Sequence, residues 1–187
     1  MIGLAMHNYH EVYGRFPARA NYDADGRPLL SWRVHLLPFL EQNSLYEQFH
    51  LNEPWDSEHN LPLAEQMPAV FRSQQFSDAT RTVFLTLDGV GTAMESTEGR
   101  KLAEFTDGLS NTLLVVEANA ENAVTWTKPE DLPFDPTTPG NGVGAIRDNG
   151  FLGLLSDGAV RLIPADLPAD TLRNLMQRND GQVVPEF

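Results

Sequence analysis

The segment GFLGLLSDGAVRLIP, residues 150–164, holds two apolar runs that are joined at Asp157-Gly158. An Asp-Gly pair between such runs is a strong signal for a β-hairpin, because glycine readily adopts the backbone conformation of a tight turn. Upstream, the apolar run at 112–118 and the shorter run at 123–126 predict two further strands. We therefore predict an antiparallel sheet in the second half of the chain.

The first half of the chain carries a helical pattern instead. In MIGLAMHNYHEVYGRFP, residues 1–17, apolar positions recur at α-helical spacing up to Gly14, and Pro17 forbids continuation. Short helices are predicted within residues 29–70, and another short helix is predicted at 169–177. These features define an α+β fold in which the N-terminal helix packs on the antiparallel sheet.

The predicted N-terminal helix has one apolar face. Its members are Ile2, Ala5, Met6, Tyr9, Val12, Tyr13 and Phe16. We expect Tyr9, Val12 and Phe16 to be buried against the sheet and His7 to be exposed. Because no Ser, Thr or Asp cap precedes this face, the pattern also suggests a longer helix whose earlier part lies upstream.

Composition narrows the class of protein. The chain has 187 residues, of which 41% are hydrophobic, so residues 1–187 are predicted to form one domain with a sizeable core. Its net charge of −13 repels nucleic acid and anionic lipid, and it favours cationic partners. The absence of cysteine excludes disulfides, thiolate metal sites and cysteine nucleophiles. No apolar run approaches the roughly 18–20 residues of a membrane span.

His7, His10 and Glu11 resemble part of a helical zinc motif. Such motifs place two histidines at i and i+4 with a glutamate beside them, whereas these two histidines are only three positions apart. The spacing therefore favours a polar helix face over a zinc site.

Two acidic loops are candidates for cation binding. Asp23 and Asp25, followed by Gly26, resemble the start of a calcium loop, but the later acidic ligand of an EF-hand is missing, so a plain turn is the alternative. The segment LNEPWDSE between His50 and His59 either supplies carboxylates to a metal site with these histidines or is a structural loop that Trp55 anchors. Calcium is the one ion that the sequence suggests, and we expect no other cofactor.

The segment TWTKPEDL combines aromatic and charged side chains directly after a predicted strand. We place Glu117, on the preceding strand, at the same end. The predicted binding site for a polar ligand or a partner's loop comprises Glu117, Trp126, Lys128, Glu130 and Asp131. The alternative is a buried tryptophan with Lys128 paired to a carboxylate.

The sequence contains no nucleophile elbow, P-loop or dinucleotide-binding motif, so we expect no enzyme. His35, His50 and His59 are the histidines to check for a catalytic constellation. Two hypotheses remain. An apolar N-terminal helix left uncovered at one end would favour a structural or interaction module. A cleft lined by Trp126 or Trp55 and several carboxylates would favour a ligand- or calcium-binding protein.

The chain resembles the DUF1559 family in five segments that follow the family's order. They are IGLAMHNYHEVYGRFP, LLSWRVHLLPFLEQNSLYEQFHLNEPWDSEHN, DGLSNTLLVVEA, VTWTKPEDLPFDP and GFLGLLSDGAVRL. Members are abundant planctomycete proteins that usually begin with a prepilin-type segment and are similar to pseudopilins. The resemblance implies a non-enzymatic globular head on a longer helix, with the membrane-embedded part upstream of this sequence. It also implies protein partners or self-assembly through that helix, at the cell surface, in the periplasm or outside the cell.

Arg147 departs from the family pattern. Relatives often carry a histidine ahead of the last Asp-Gly turn, and the corresponding position here is Arg147. The resemblance therefore carries over the turn but not any role of that imidazole.

Overall fold

The computed structural model describes residues 1–95 and 97–185, and it confirms the α+β class. The α-helices in this part of the chain are α1 (Ile2–Tyr13), α2 (Trp32–His35), α3 (Asn43–Tyr46) and α4 (Ala169–Met176). Short 3-10 helices lie at Leu37–Leu40, Leu61–Gln66, Ala69–Phe71, Leu102–Glu104, Leu109–Asn111 and Ala120–Asn122. Among the described residues, no helix combines the length and the hydropathy needed to cross a membrane.

Among the described residues, the strands form one larger sheet and three small ones. They are β1 (Ala20–Tyr22), β2 (Pro28–Ser31), β3 (Arg81–Thr82), β4 (Phe84–Leu85), β5 (Leu87–Asp88), β6 (Leu113–Glu117), β7 (Val124–Thr125), β8 (Leu132–Pro133), β9 (Gly150–Leu155) and β10 (Val160–Pro164). The larger sheet has four antiparallel strands in the order β10-β9-β6-β4. Strands β1 and β2 pair antiparallel, as do β3 and β7, whereas β5 and β8 are parallel. The predicted antiparallel sheet is thereby confirmed.

Strands β9 and β10 form the hairpin that the Asp-Gly pair predicts. The amide of Leu155 donates to the carbonyl of Ala159 at 2.8 Å, which closes the turn. Gly158 has a φ of 92°, a left-handed conformation that a side chain would strain. The turn chemistry therefore sets the register of the strand pair.

The larger sheet separates two hydrophobic cores. On one side it packs against α1 and the short helices of the first half, in a core that contains Trp32, Phe71 and Trp126. On the other side it packs against α4, whose Leu175 and Met176 are fully buried. Strand β6 is buried along its whole length because it lies between these two cores.

Helix α1 ends before Gly14 as predicted, but it is rotated about its axis, so a different face is buried. Phe16 is buried as expected, whereas Val12 is 64% exposed and Tyr9 is only half-buried. His7 is half-buried rather than exposed, and its Nε2 donates to the carbonyl of Ser156 at 2.9 Å. Gly3 explains this rotation. A Cβ at position 3 would lie 3.0 Å from the backbone of the hairpin turn, so the helix can approach the turn this closely only with glycine there.

The segment 29–40 is less helical than its apolar pattern indicates. Its beginning pairs in β2, and the chain turns into α2 only at Ser31, whose hydroxyl accepts from the amide of Arg33 at 3.3 Å. Pro38 then lies at the start of the following 3-10 helix, where a missing amide proton does no harm. The prediction of short helices within residues 29–70 is confirmed, and the first of them begins at Trp32, after β2.

Candidate ligand-binding cleft

A polar cleft of about 410 Å³ lies between Trp55 and the chain that runs through β7 and β8. Its lining includes three of the predicted ligand-binding residues, Lys128, Glu130 and Asp131. Trp55, Arg81 and Glu121 complete the charged and aromatic part of the wall. The sequence hypothesis of a tryptophan-lined acidic cleft therefore describes this surface, with Trp55 as the tryptophan.

The floor of the cleft is a buried ion pair. Asp131 Oδ1 accepts from Arg33 Nη2 at 2.8 Å, from the Trp32 indole at 3.2 Å and from the Thr86 amide at 3.0 Å. The side chains of Arg33 and Asp131 are 0% and 1% exposed. Burial raises the pKa of the Asp131 carboxyl, and Arg33 and the Thr86 amide act against that rise. Because arginine stays protonated and completes the pair, Asp131 is held in place as a rigid acceptor.

The wall of the cleft holds an ammonium group between an aromatic ring and a carboxylate. Lys128 Nζ lies 5.7 Å from the centre of the Trp55 ring and forms an ion pair with Glu130. Such a distance permits a cation–π interaction. The Lys128 and Glu130 side chains are 40% and 50% exposed, so water and solutes reach both.

The loop that carries Trp55 is organised by one buried amide side chain. Asn60 Nδ2 lies 2.9 to 3.2 Å from the carbonyls of His50, Glu53 and Pro54, and Asn60 Oδ1 accepts from the His50 amide. The Trp55 amide in turn donates to the carbonyl of Leu29 at 2.9 Å. These bonds fix the aromatic wall against the first half of the chain.

Trp126 and Glu117 lie outside the cleft, which corrects two of the five placements. Trp126 is fully buried, its indole donates to the carbonyl of Ala64 at 2.9 Å, and its ring stacks on Phe71. It is the buried tryptophan of the alternative interpretation, and Lys128 does pair with a carboxylate. Burial of a large aromatic ring outweighs the local pattern of charges around it.

Glu117 belongs to a separate buried network around Arg147. Its carboxylate accepts from Arg147 Nε at 2.5 Å and Nη2 at 3.0 Å, and from Ser73 Oγ at 2.6 Å. Burial would raise the pKa of Glu117, but the bonds from Arg147 and Ser73 hold it below the ordinary glutamate value. The arginine that replaces the expected histidine therefore neutralises a buried carboxylate at the end of β6.

The two aspartates proposed for calcium are paired with a guanidinium group. Arg27 Nε lies 2.9 Å from Asp23 and Arg27 Nη2 lies 2.6 Å from Asp25. Asp23 also accepts from the backbone amides of Asp25 and Arg27, and the backbone bond to Arg27 is the first cause of its lowered pKa. A calcium ion at this turn would have to displace Arg27. In the part of the chain that the structure describes, no three His, Asp or Glu side chains are grouped to hold a metal.

The three histidines singled out for a catalytic constellation have separate hydrogen-bond partners, although the rings of His50 and His59 stack with centroids 3.4 Å apart. His35 Nε2 lies 3.0 Å from Asn21 Oδ1, and His50 Nδ1 lies 2.9 Å from Glu53. His59 Nε2 donates to the carbonyl of Gln48 at 2.8 Å. The hydrogen bonds of these imidazoles therefore go to an amide, a carboxylate and a backbone carbonyl.

Sequence reasoning missed Arg33 and Asn60. Arg33 stands alone in the apolar run LLSWRVHLL, and a cation inside a buried run requires a buried carboxylate partner. That signal predicts a partner but not which one, because Asp131 lies 98 positions away. Asn60 carries no comparable signal, since asparagine is common in loops.

A second surface, the apolar groove, lies at the N-terminal end of α1. It has a volume of about 180 Å³ and runs between Ile2, Gly3 and the larger sheet. The sheet side is formed by Phe84, Val115, Val116, Leu152, Leu154 and Val160. None of its described lining residues carries a charged side chain.

Residues 1–82 match a family model described as a protein of unknown function, DUF1559, which supports the family resemblance of the sequence. Searches of curated proteins and of solved structures found no match. The match ends before the cleft residues Lys128, Glu130 and Asp131, so it gives no information about their role.

Proposed function

We propose that the protein is a non-enzymatic interaction module that assembles through α1 and the apolar groove beside it. The observation that carries the proposal is apolar surface left uncovered at one end of α1. Leu4 is 67% exposed, and Val160 and Leu162 on the edge strand β10 are 61% and 42% exposed. Apolar surface of this kind around a groove is typical of protein–protein contacts.

The charge distribution supports assembly at the same place. The chain carries 26 acidic and 13 basic residues, so most approaches between two copies meet like charges. The described lining of the apolar groove is free of charged side chains, and this removes the repulsion there. Contact at the groove also removes apolar area from water, at about 25 cal/mol per Å².

The resemblance to pseudopilin-like proteins adds a setting to this proposal. The module would be the head of a surface or secretion-associated protein, located at the cell surface, in the periplasm or outside the cell. In that setting α1 would continue upstream, and the groove would receive protein from a neighbouring subunit. A membrane would be reached only through that upstream part.

Cysteine cross-linking tests the assembly. The native chain has no cysteine, so a single introduced thiol reports one position without background. We expect Leu4→Cys to form disulfide dimers under mild oxidation much faster than Val90→Cys. Leu4 lies on α1 next to Gly3 of the groove lining, whereas Val90 is 80% exposed and lies neither on α1 nor in the groove lining. Equal rates for the two variants would refute assembly at the groove.

A second candidate function, ligand binding at a cell surface, is favoured by the polar cleft. Its wall combines Trp55 with Lys128, Glu130 and Glu121, which suits a polar ligand better than a hydrocarbon. Weak calcium binding at Asp23 and Asp25 belongs to the same candidate. A rise in melting temperature in millimolar calcium that Asp23→Asn abolishes would support the calcium site, and an unchanged melting temperature would reject it.

A further inference from the structure

The wall of the cleft already contacts one ammonium group, that of Lys128. Lys128 presents its ammonium to the Trp55 ring at 5.7 Å and to the Glu130 carboxylate. Pro129 separates Lys128 from Glu130 and limits the backbone between them. The side chain that occupies this place is partly exposed and long, so it can leave while the wall stays in position.

The remaining charges of the cleft favour a second cation once Lys128 has left. Asp131 is neutralised by Arg33, and Arg81 is fixed by two bonds to the carbonyl of Ala123, at 2.7 and 3.2 Å. Glu121 lines the same cleft and has no ion-pair partner among the described residues. Without Lys128, the wall therefore offers the carboxylates of Glu121 and Glu130 and an indole face against one remaining cation, Arg81, which forms no ion pair in the described part of the chain.

We infer that the cleft receives a lysine side chain of a partner protein, and that Lys128 occupies the place of that side chain in the free molecule. This inference rests on the ligand-binding candidate and is independent of assembly at the apolar groove. The net charge of −13 supports it, because a strongly acidic protein attracts basic protein surfaces over a distance and selects them at contact.

The effect of removing Lys128 distinguishes this inference from simple attraction of charges. Lys128→Met clears the site, so a lysine ligand should bind several-fold more tightly. Lys101→Met removes the same unit of charge from an exposed position outside the cleft. Lys101 and Lys128 are the two lysines of the chain, and the pair forms a matched control. Glu130→Gln should weaken binding by up to about fivefold, the value of an exposed ion pair.

The experiment is a titration with the tripeptide acetyl-Gly-Lys-Gly-amide, followed by the indole N–H resonance of Trp55. The indole of Trp126 is buried and donates to the carbonyl of Ala64, which lies outside the cleft lining, so it serves as an internal reference. We expect the lysine peptide to shift the Trp55 signal, the Lys128→Met variant to bind it more tightly, and the Lys101→Met variant to bind it like the native protein.

Three outcomes would overturn the inference. The control peptide is acetyl-Gly-norleucine-Gly-amide, which lacks the ammonium group. An equal response to this peptide would leave the cleft as a binding site but reject the ammonium ligand. Weaker or unchanged binding by Lys128→Met would reject the role of Lys128 as an occupant. Binding of free 1,5-diaminopentane as tight as that of the peptide would assign the cleft to small polyamines instead of a protein partner. None of these results bears on cross-linking through Leu4, so failure here is distinct from failure of assembly.

Discussion

The polar cleft and the apolar groove differ in how far their groups have partners within the chain. In the cleft, the charged groups of Arg33, Asp131, Lys128 and Glu130 are all paired within the chain. In the groove, no described lining residue has a charged side chain, and lining side chains such as Val160 remain in contact with water. Most charged groups of the cleft therefore have partners in the free molecule, whereas the groove gains free energy only when another surface covers it.

This difference separates the two proposed functions. A cleft with internal partners binds by exchange, so its affinity depends on displacing a group of the protein itself. An uncovered apolar groove binds by burial, so its affinity depends on area and fit. Variants that change one surface should leave the other intact, and the following predictions use that separation, from the largest expected effect to the smallest.

The largest effect is expected at the floor of the cleft. Arg33→Met leaves the buried Asp131 carboxylate without its partner and should lower the free energy of unfolding by about 3–5 kcal/mol. Urea unfolding measures this loss as a lower midpoint at an unchanged slope. A loss below about 1 kcal/mol would show that the pair is not the buried, unsolvated contact that the geometry indicates.

The double variant Arg33→Met with Asp131→Leu provides the control for this prediction. It removes both charges and should recover most of the stability, because replacing a buried pair by apolar side chains is often neutral. If the double variant were as unstable as Arg33→Met, the loss would come from packing and not from the unpaired charge.

Lowering the pH should reduce the stability of the protein through protonation of His35. Burial lowers the pKa of His35 to about 4, whereas the unfolded chain titrates at the ordinary value near 6.5. The unfolded state therefore binds the proton more tightly, and stability should fall between about pH 6.5 and pH 4, by up to about 3 kcal/mol. His35 contacts Asn21, which donates to the carbonyl of Leu51 just before the Trp55 loop.

Urea unfolding across this pH range checks the prediction for His35. His35→Gln keeps a polar group beside Asn21 but does not titrate, so its stability should change less over the same interval. Parallel curves for the native protein and His35→Gln would remove His35 as the cause.

A smaller effect is expected where α1 meets the hairpin beside the groove. In Gly3→Ala, the new Cβ would lie 2.9 Å from the Leu154 side chain and 3.0 Å from the backbone of Gly158. Overpacking against backbone costs about 1–3 kcal/mol and should exceed the roughly 1 kcal/mol gained in helix propensity. Thermal unfolding should show a lower melting temperature, while the exposed control Glu11→Ala should stay within about 0.5 kcal/mol. A stabilised Gly3→Ala would mean that α1 does not contact the turn this closely.

The parts of the fold that depend on neighbouring residues could be predicted from the sequence. The parts that depend on contacts between distant residues could not. The hairpin at Asp157-Gly158 and helix α4 follow from residues close together in the chain. The rotation of α1 depends on Gly3 meeting Gly158, so a helical wheel alone placed Val12 on the wrong side. For the same reason, adjacency in sequence placed Trp126 in the cleft, although its indole is bonded to a carbonyl 62 positions away.

The most direct test of assembly through the apolar groove is sedimentation velocity over a range of protein concentrations. Leu4→Glu places a charge at the uncovered end of α1, and Leu61→Glu adds the same charge at an exposed leucine outside the groove. We expect the native protein and Leu61→Glu to associate as concentration rises, and Leu4→Glu to remain monomeric. A native protein that stays monomeric throughout, or a Leu4→Glu variant that associates equally well, would contradict assembly at this surface.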